Sequence, residues 1–144
     1  MNALRSQSLS KTNFTQPENV LQALNKAFPG EANNDMFFTI WYGVYNKKTY
    51  EMSFASGGHP PAILMNPSDK PDAEISQLRT PNFIIGGESD ATYQSDKHSI
   101  DKDDKLYIFS DGVYEIKKSD GSMWRFKEFT EFMGSLDVKK SSNL

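Results

Sequence analysis

Met36-Phe37-Phe38-Thr39-Ile40-Trp41-Tyr42-Gly43-Val44-Tyr45 is the longest near-apolar run in the chain. It is about half the ~20 residues that a membrane helix needs, and its aromatic and β-branched content marks a buried strand. Beyond the polar turn Asn46-Lys47-Lys48, Tyr50, Met52 and Phe54 alternate with Glu51 and Ser53 across Thr49–Ala55. That period of two predicts a second strand and hence a hairpin. A third strand, Ala62–Met65, follows the breaker-rich Ser56–Pro61, and a surface loop covers Asn66–Asp72. Further strands are predicted at Tyr93–Ile100, Lys105–Ser110 and Val113–Ile116, the last two joined by an Asp111-Gly112 turn. Strands that follow one another without intervening helices predict an α+β fold with antiparallel sheets.

Helices flank this block. Thr15-Gln16-Pro17-Glu18 has the spacing of a capping box with Pro in the first turn. Val20, Leu21, Leu24, Ala27 and Phe28 then form one apolar face, and Pro29-Gly30 stops the helix. Met1–Leu9 has helical composition but only Leu4 and Leu9 as bulky apolar anchors, so it reads as the tail end of something longer. Trp124, Phe126, Phe129, Phe132 and Met133 predict a short terminal helix over Met123–Gly134, and residues 135–144 read as a disordered tail.

The 144 residues suit one core, which at this length hides roughly 68–70% of the unfolded surface. Sixteen basic and 19 acidic side chains give a formal charge of −3, which offers no field for DNA, RNA or anionic lipid. With no cysteine, disulfides, thiolate metal sites and cysteine nucleophiles are excluded. Met1-Asn2-Ala3-Leu4-Arg5-Ser6-Gln7 lacks the apolar core of a signal peptide. A cytoplasmic protein that binds neither nucleic acid nor membrane is expected.

Two constellations could carry chemistry. In Ser56-Gly57-Gly58-His59-Pro60-Pro61-Ala62, adjacent glycines permit positive φ and close backbone approach, while the prolines fix the exit direction. His59 is then either a hydrogen-bonded turn histidine or one held near a phosphate or metal. In Leu106-Tyr107-Ile108-Phe109-Ser110-Asp111-Gly112-Val113, an apolar strand ends in a carboxylate followed by Gly. That suits either a hairpin turn or a hard-cation ligand, with Gly112 giving access. Asp101-Lys102-Asp103-Asp104 lacks the ligand spacing of a calcium loop and reads as a solvated turn.

The order of Leu24-Asn25, Met36–Thr39, Ala55–Pro61, Ile85-Gly86 and Ser110-Asp111-Gly112-Val113-Tyr114-Glu115 resembles the C-terminal part of the SpoIIE/RsbU-type PPM phosphatases, the bacterial branch of the protein phosphatase 2C-like family. The similarity covers about residues 3–134. It implies an αββα sandwich of two antiparallel sheets flanked by helices, with residues 1–144 making one domain that is incomplete at its N-terminus. It also implies a two-metal site, manganese or magnesium, whose activated water hydrolyses a phosphoserine or phosphothreonine of a regulatory protein. On this resemblance Asp111 matches a metal-binding Asp with Gly112 beside it, His59 is structural or near-site, and Gly57, Gly58 and Pro60 shape the turn.

The family's upstream Gly-Gly-Asp-x-x-Asp and Asp-Val-x-Gly-His-Gly blocks, and its late Asp-Asp pair, have no counterpart in these residues. The Gly-Asp that commonly precedes the Asp-Gly strand is here Asp103-Asp104. The resemblance therefore implies an incomplete metal site and an inactive chain, or a non-catalytic pseudophosphatase that acts as a regulatory, partner-binding module. Uncovered sheet edges would favour self-association.

Overall fold

The structure, a computed structural model, describes residues 9–66 and 75–141. The chain divides into two compact units, Met1–Pro61 with Leu78–Ile100 and Ala62–Gln77 with Asp101–Leu144. The first contains helix α1 (Pro17–Ala27) and strands β1 (Ile40–Asn46), β2 (Glu51–Gly57) and β5 (Asp96–Ser99). The second contains β3 (Ala62–Met65), β6 (Lys105–Tyr107), all of β4 (Ile75–Leu78) but its last residue, and helix α2 (Phe126–Ser141). This is the expected α+β class. No helix among the described residues is long and apolar enough to cross a membrane.

In the first unit, α1 begins one residue later than a Thr15 cap requires. Pro17 takes the first helical position, so Gln16 becomes the N-cap and makes no side-chain cap bond. The Thr15 hydroxyl instead donates to Asn13 Oδ1 at 2.6 Å, and the capping box does not form. The apolar face packs on β2 and β1 as its spacing predicts. Leu21, Ala55, Ile85, Ala91 and Tyr93 are the core, with Leu24, Phe28, Ile40 and Tyr42 against it.

β1 starts at Ile40, not Met36. Asn34 and Asp35 are left-handed (φ 55° and 56°) and turn the chain, leaving Met36 and Phe37 exposed. Phe38 makes a single bridge to Ile85, its N–H donating at 3.1 Å and its carbonyl accepting at 3.0 Å. The hairpin forms, antiparallel from Ile40↔Gly57 to Asn46↔Glu51, but its second strand runs Glu51–Gly57 instead of Thr49–Ala55, because Tyr50 is left-handed (φ 55°) and stays in the turn. Asn46 Oδ1 accepts the Lys48 N–H at 2.9 Å within its turn. β5 adds to β2 from Glu51↔Ser99 to Phe54↔Asp96, giving the order β1-β2-β5. It is shorter than Tyr93–Ile100 because Tyr93 leaves the ladder for the core.

The second sheet has the order β4-β3-β6. β3 matches its predicted bounds, is buried throughout, and pairs antiparallel with β6 from Ile63↔Tyr107 to Met65↔Lys105. β4 was not anticipated, and most of the predicted 66–72 loop lies outside the described residues. The predicted strand Val113–Ile116 is replaced by a 3-10 turn, Asp111–Val113. The Asp111 carbonyl accepts from Tyr114 N–H at 3.0 Å and Glu115 N–H at 2.9 Å, which curls the chain out of a ladder. Tyr114 thereby joins rings with Phe109, Phe126 and Phe129.

α2 starts after Met123 and Trp124, whose backbones are engaged with Lys117 and Ile116. Glu128 then caps its first turn, accepting the Arg125 N–H at 2.8 Å and the Lys118 ammonium at 2.5 Å. Those two bonds hold the Glu128 carboxyl below its usual range. The helix continues to Ser141, into the 135–144 segment expected from sequence to be a disordered tail, of which residues 142–144 lie outside the described residues.

The Asp101–Asp104 turn closes on itself, the Asp101 N–H donating to Asp104 Oδ2 at 2.8 Å. Asp103 sits there at φ 69°, a conformation that burdens any residue with a Cβ. Asp103→Gly is expected to raise stability by about 0.5–1 kcal/mol in urea denaturation. An unchanged or lower midpoint would show that the Asp103 side chain offsets the strain.

Candidate functional site

The Gly-Gly-His-Pro turn leaves the end of β2 from a buried polar lock. The Ser56 N–H donates to Thr80 Oγ1 at 2.8 Å, and the Thr80 N–H donates to Ser56 Oγ at 2.9 Å. The Thr80 hydroxyl in turn donates to the Ser56 carbonyl at 3.0 Å. Asn82 extends the lock, its Nδ2 donating to Thr80 Oγ1 and to the Gln94 carbonyl, both at 2.8 Å. Ser56 and Thr80 are both buried, so each backbone group must find a partner, and these hydroxyls supply them.

This lock presses residues 82–84 onto the glycines. A Cβ on Gly57 would stand 2.8 Å from the Phe83 carbonyl oxygen. Gly58 has φ 62°, and its Cβ would lie 2.1 Å from Ile84 Cγ2. Both glycines are therefore required by crowding, and Gly58 also by its backbone conformation. His59 is half-buried in the following turn, where Nδ1 lies 3.0 Å from the Pro60 carbonyl. A carbonyl can only accept, so Nδ1 is the donor in this contact. His59 spends one nitrogen on its own turn.

Asp111 lies in the second unit, a few residues beyond β6. Ser110 is extended, and the 3-10 turn then holds the Asp111 backbone while its side chain stays exposed. Gly112 contrasts with the other two glycines. An added Cβ there would meet nothing closer than Ser110 Oγ at 3.8 Å, so neither packing nor a left-handed φ demands Gly. The space beside the carboxylate is open.

The Tyr114 hydroxyl is pushed above its ordinary range by burial, and next by the negative fields of Asp111 and Glu115. Two carboxylates thus act on one small region, and Glu115 is the one that sequence reasoning quoted without a role. Divalent magnesium or manganese binds about six oxygens, and a pair needs more than two carboxylates can supply. No group of three or more His, Cys, Asp or Glu side chains that could hold a metal occurs among the described residues. The donors among the described residues do not fit a two-metal centre. His59 belongs to the first unit and Asp111 to the second.

The SpoIIE family, described as Stage II sporulation protein E, matches residues 1–143 of the chain. Phosphoserine phosphatase RsbU of Bacillus subtilis (strain 168) is 29% identical over 118 residues, which is 82% of this chain and 34% of RsbU. The SiaA-PP2C domain of Pseudomonas aeruginosa superposes with a TM-score of 0.70 at 12% identity, covering 94% of this chain and 51% of that one. At that identity the likeness establishes the fold alone, and it is the incomplete PP2C type that the motif order implied. The chain spans about a third of RsbU's length and about half of the SiaA domain.

The glycine geometry yields a contrast between substitutions. Gly58→Ala is expected to cost about 2–4 kcal/mol in urea denaturation, because strain and overlap with Ile84 add. Gly112→Ala should stay within about 0.5 kcal/mol of the parent. Equal costs at the two positions would contradict the packing described.

Proposed function

This chain belongs to the SpoIIE family of PP2C-like phosphatase domains, and from that membership we propose that it is the later part of a metal-dependent protein serine/threonine phosphatase. The complete domain would act in the cytoplasm on a phosphoserine or phosphothreonine of a regulatory protein, with manganese or magnesium supplying an activated water. Asp111 contributes one carboxylate to that site. The supporting observation is the exposed Asp111 on a fixed turn beyond β6, with open space at Gly112 that no packing requirement explains. A rigid backbone that presents an acid outward suits a ligand better than a side chain on a mobile loop.

His59 takes a positioning role. Its Nδ1 bond to the Pro60 carbonyl and the crowding at Gly57 and Gly58 fix the turn. Residues 1–144 form one partial domain on this proposal. Because two carboxylates do not satisfy two cations, the chain by itself is not a competent phosphatase.

The test is release of phosphate from a phosphoserine peptide with manganese present. The 144-residue chain is expected to be inactive, and a version joined to an upstream segment carrying both acidic blocks is expected to be active. Asp111→Asn in the joined version should lower turnover by at least about 100-fold. Metal-dependent activity of the short chain would overturn the incompleteness, and activity indifferent to Asp111→Asn would overturn the ligand role. An inactive joined version that still binds the phosphopeptide would favour a non-catalytic regulatory module.

A further inference from the structure

Two Asp-Gly pairs lie in the second unit, Asp111-Gly112 and Asp120-Gly121, and all four residues are exposed. An aspartyl side chain followed by glycine is open to attack by the next backbone nitrogen, since glycine carries no Cβ to obstruct the approach. At Asp120-Gly121 both reacting groups are engaged. Asp120 Oδ1 accepts the Ser122 N–H at 2.9 Å and the Ser122 hydroxyl at 2.7 Å, and the Gly121 N–H donates to the Lys118 carbonyl at 3.0 Å. The Ser122 bonds, the hydroxyl's first, also hold the Asp120 carboxyl below its ordinary range, which disfavours the neutral form that loses water. A bridge between Lys117 and Met123 closes the hairpin around the pair.

At Asp111-Gly112 neither group is engaged. Among the described residues the Asp111 carboxylate makes no hydrogen bond or ion pair, and the Gly112 N–H has no acceptor. The bonds that shape this 3-10 turn fall on the carbonyls of Ser110 and Asp111, not on the two groups that would react. A Cβ on Gly112 would meet nothing nearer than Ser110 Oγ at 3.8 Å. In a local opening of the turn, the peptide between the two residues therefore swings without striking a neighbour.

We propose that Asp111 is a site of spontaneous succinimide formation and conversion to isoaspartate in the folded chain, while Asp120 is protected. The Gly112 nitrogen attacks Asp111 Cγ, the N–Cγ bond forms and the Cγ–O bond breaks, and the oxygen leaves as water with the carboxyl and amide protons. One water then opens the ring. At Cγ it restores aspartate, and at the backbone carbonyl carbon it leaves isoaspartate, with the chain running through Cγ and one methylene longer. Water lost and water regained balance, and no other reactant enters. The product moves the acid away from its place on the turn, and the chemistry does not rest on the metal-ligand reading of Asp111.

The test holds the 144-residue chain for weeks at physiological temperature and pH, folded in buffer and unfolded in guanidinium chloride. Isoaspartate is then located in its proteolytic peptides by electron-transfer fragmentation. In the folded chain the product at Asp111 is expected to exceed that at Asp120 by about tenfold or more, because bonds on the reacting groups themselves must open only at Asp120. In guanidinium the two sites should react alike. Comparable amounts at the two sites of the folded chain, no product at Asp111, or an excess at Asp111 that persists in guanidinium would overturn the proposal.

Discussion

The first unit depends on one buried amide. Asn25 sits on the packed side of α1, 2% exposed, where an unpaired carboxamide would be costly. Its Oδ1 accepts the Gly86 N–H at 2.8 Å, and its Nδ2 donates to the Glu88 carbonyl at 2.9 Å. The segment it ties down has no regular ladder of its own, so these bonds stand in for secondary structure. With Gly86 fixed, Ile85 enters the core and Phe38 bridges to it. The same segment, continued back through Asn82 to Thr80, forms the lock on Ser56 and crowds Gly57 and Gly58. A helix side chain thus helps to decide the shape of the His59 turn.

That dependence explains what the sequence could and could not reveal. β3 was legible to the residue because four apolar side chains between breakers leave no other assignment. The hairpin was legible because Met52 and Phe54 alternate with Glu51 and Ser53, but its bounds were not, since Tyr50 belongs to the turn. β4 was not, since Ile75-Ser76-Gln77-Leu78 carries half its residues as polar and is only four long. The capping box failed because Pro17 fits N1 better than N2, and local geometry outweighed a favourable spacing. Val113–Ile116 has strand composition, yet an Asp-Gly corner and the aromatic contacts of Tyr114 curl it instead.

The candidate site divides in the same way. The two glycines before His59 are visible in the sequence as a need for space, and the structure names what fills that space. Thr80 was invisible because its partner Ser56 lies 24 residues away and neither residue belongs to a periodic pattern. Asn25 and Gly86 were both quoted as motif residues, yet only the fold shows that they touch. Asp111 is exposed on a 3-10 turn instead of at a strand tip, since β6 ends at Tyr107, and the geometry adds that Gly112 is not there for packing.

The chain therefore combines family membership with described residues that hold no group of three or more metal-binding side chains. Asp111 is exposed on a 3-10 turn, and its role as a metal ligand is the proposal that a metal titration can test. Manganese titration followed by electron paramagnetic resonance measures this most directly, because free, singly bound and spin-coupled paired ions give different spectra. Weak binding of a single ion by the 144-residue chain, lost in Asp111→Asn, is expected. A tight, spin-coupled manganese pair on the unmodified chain would contradict it.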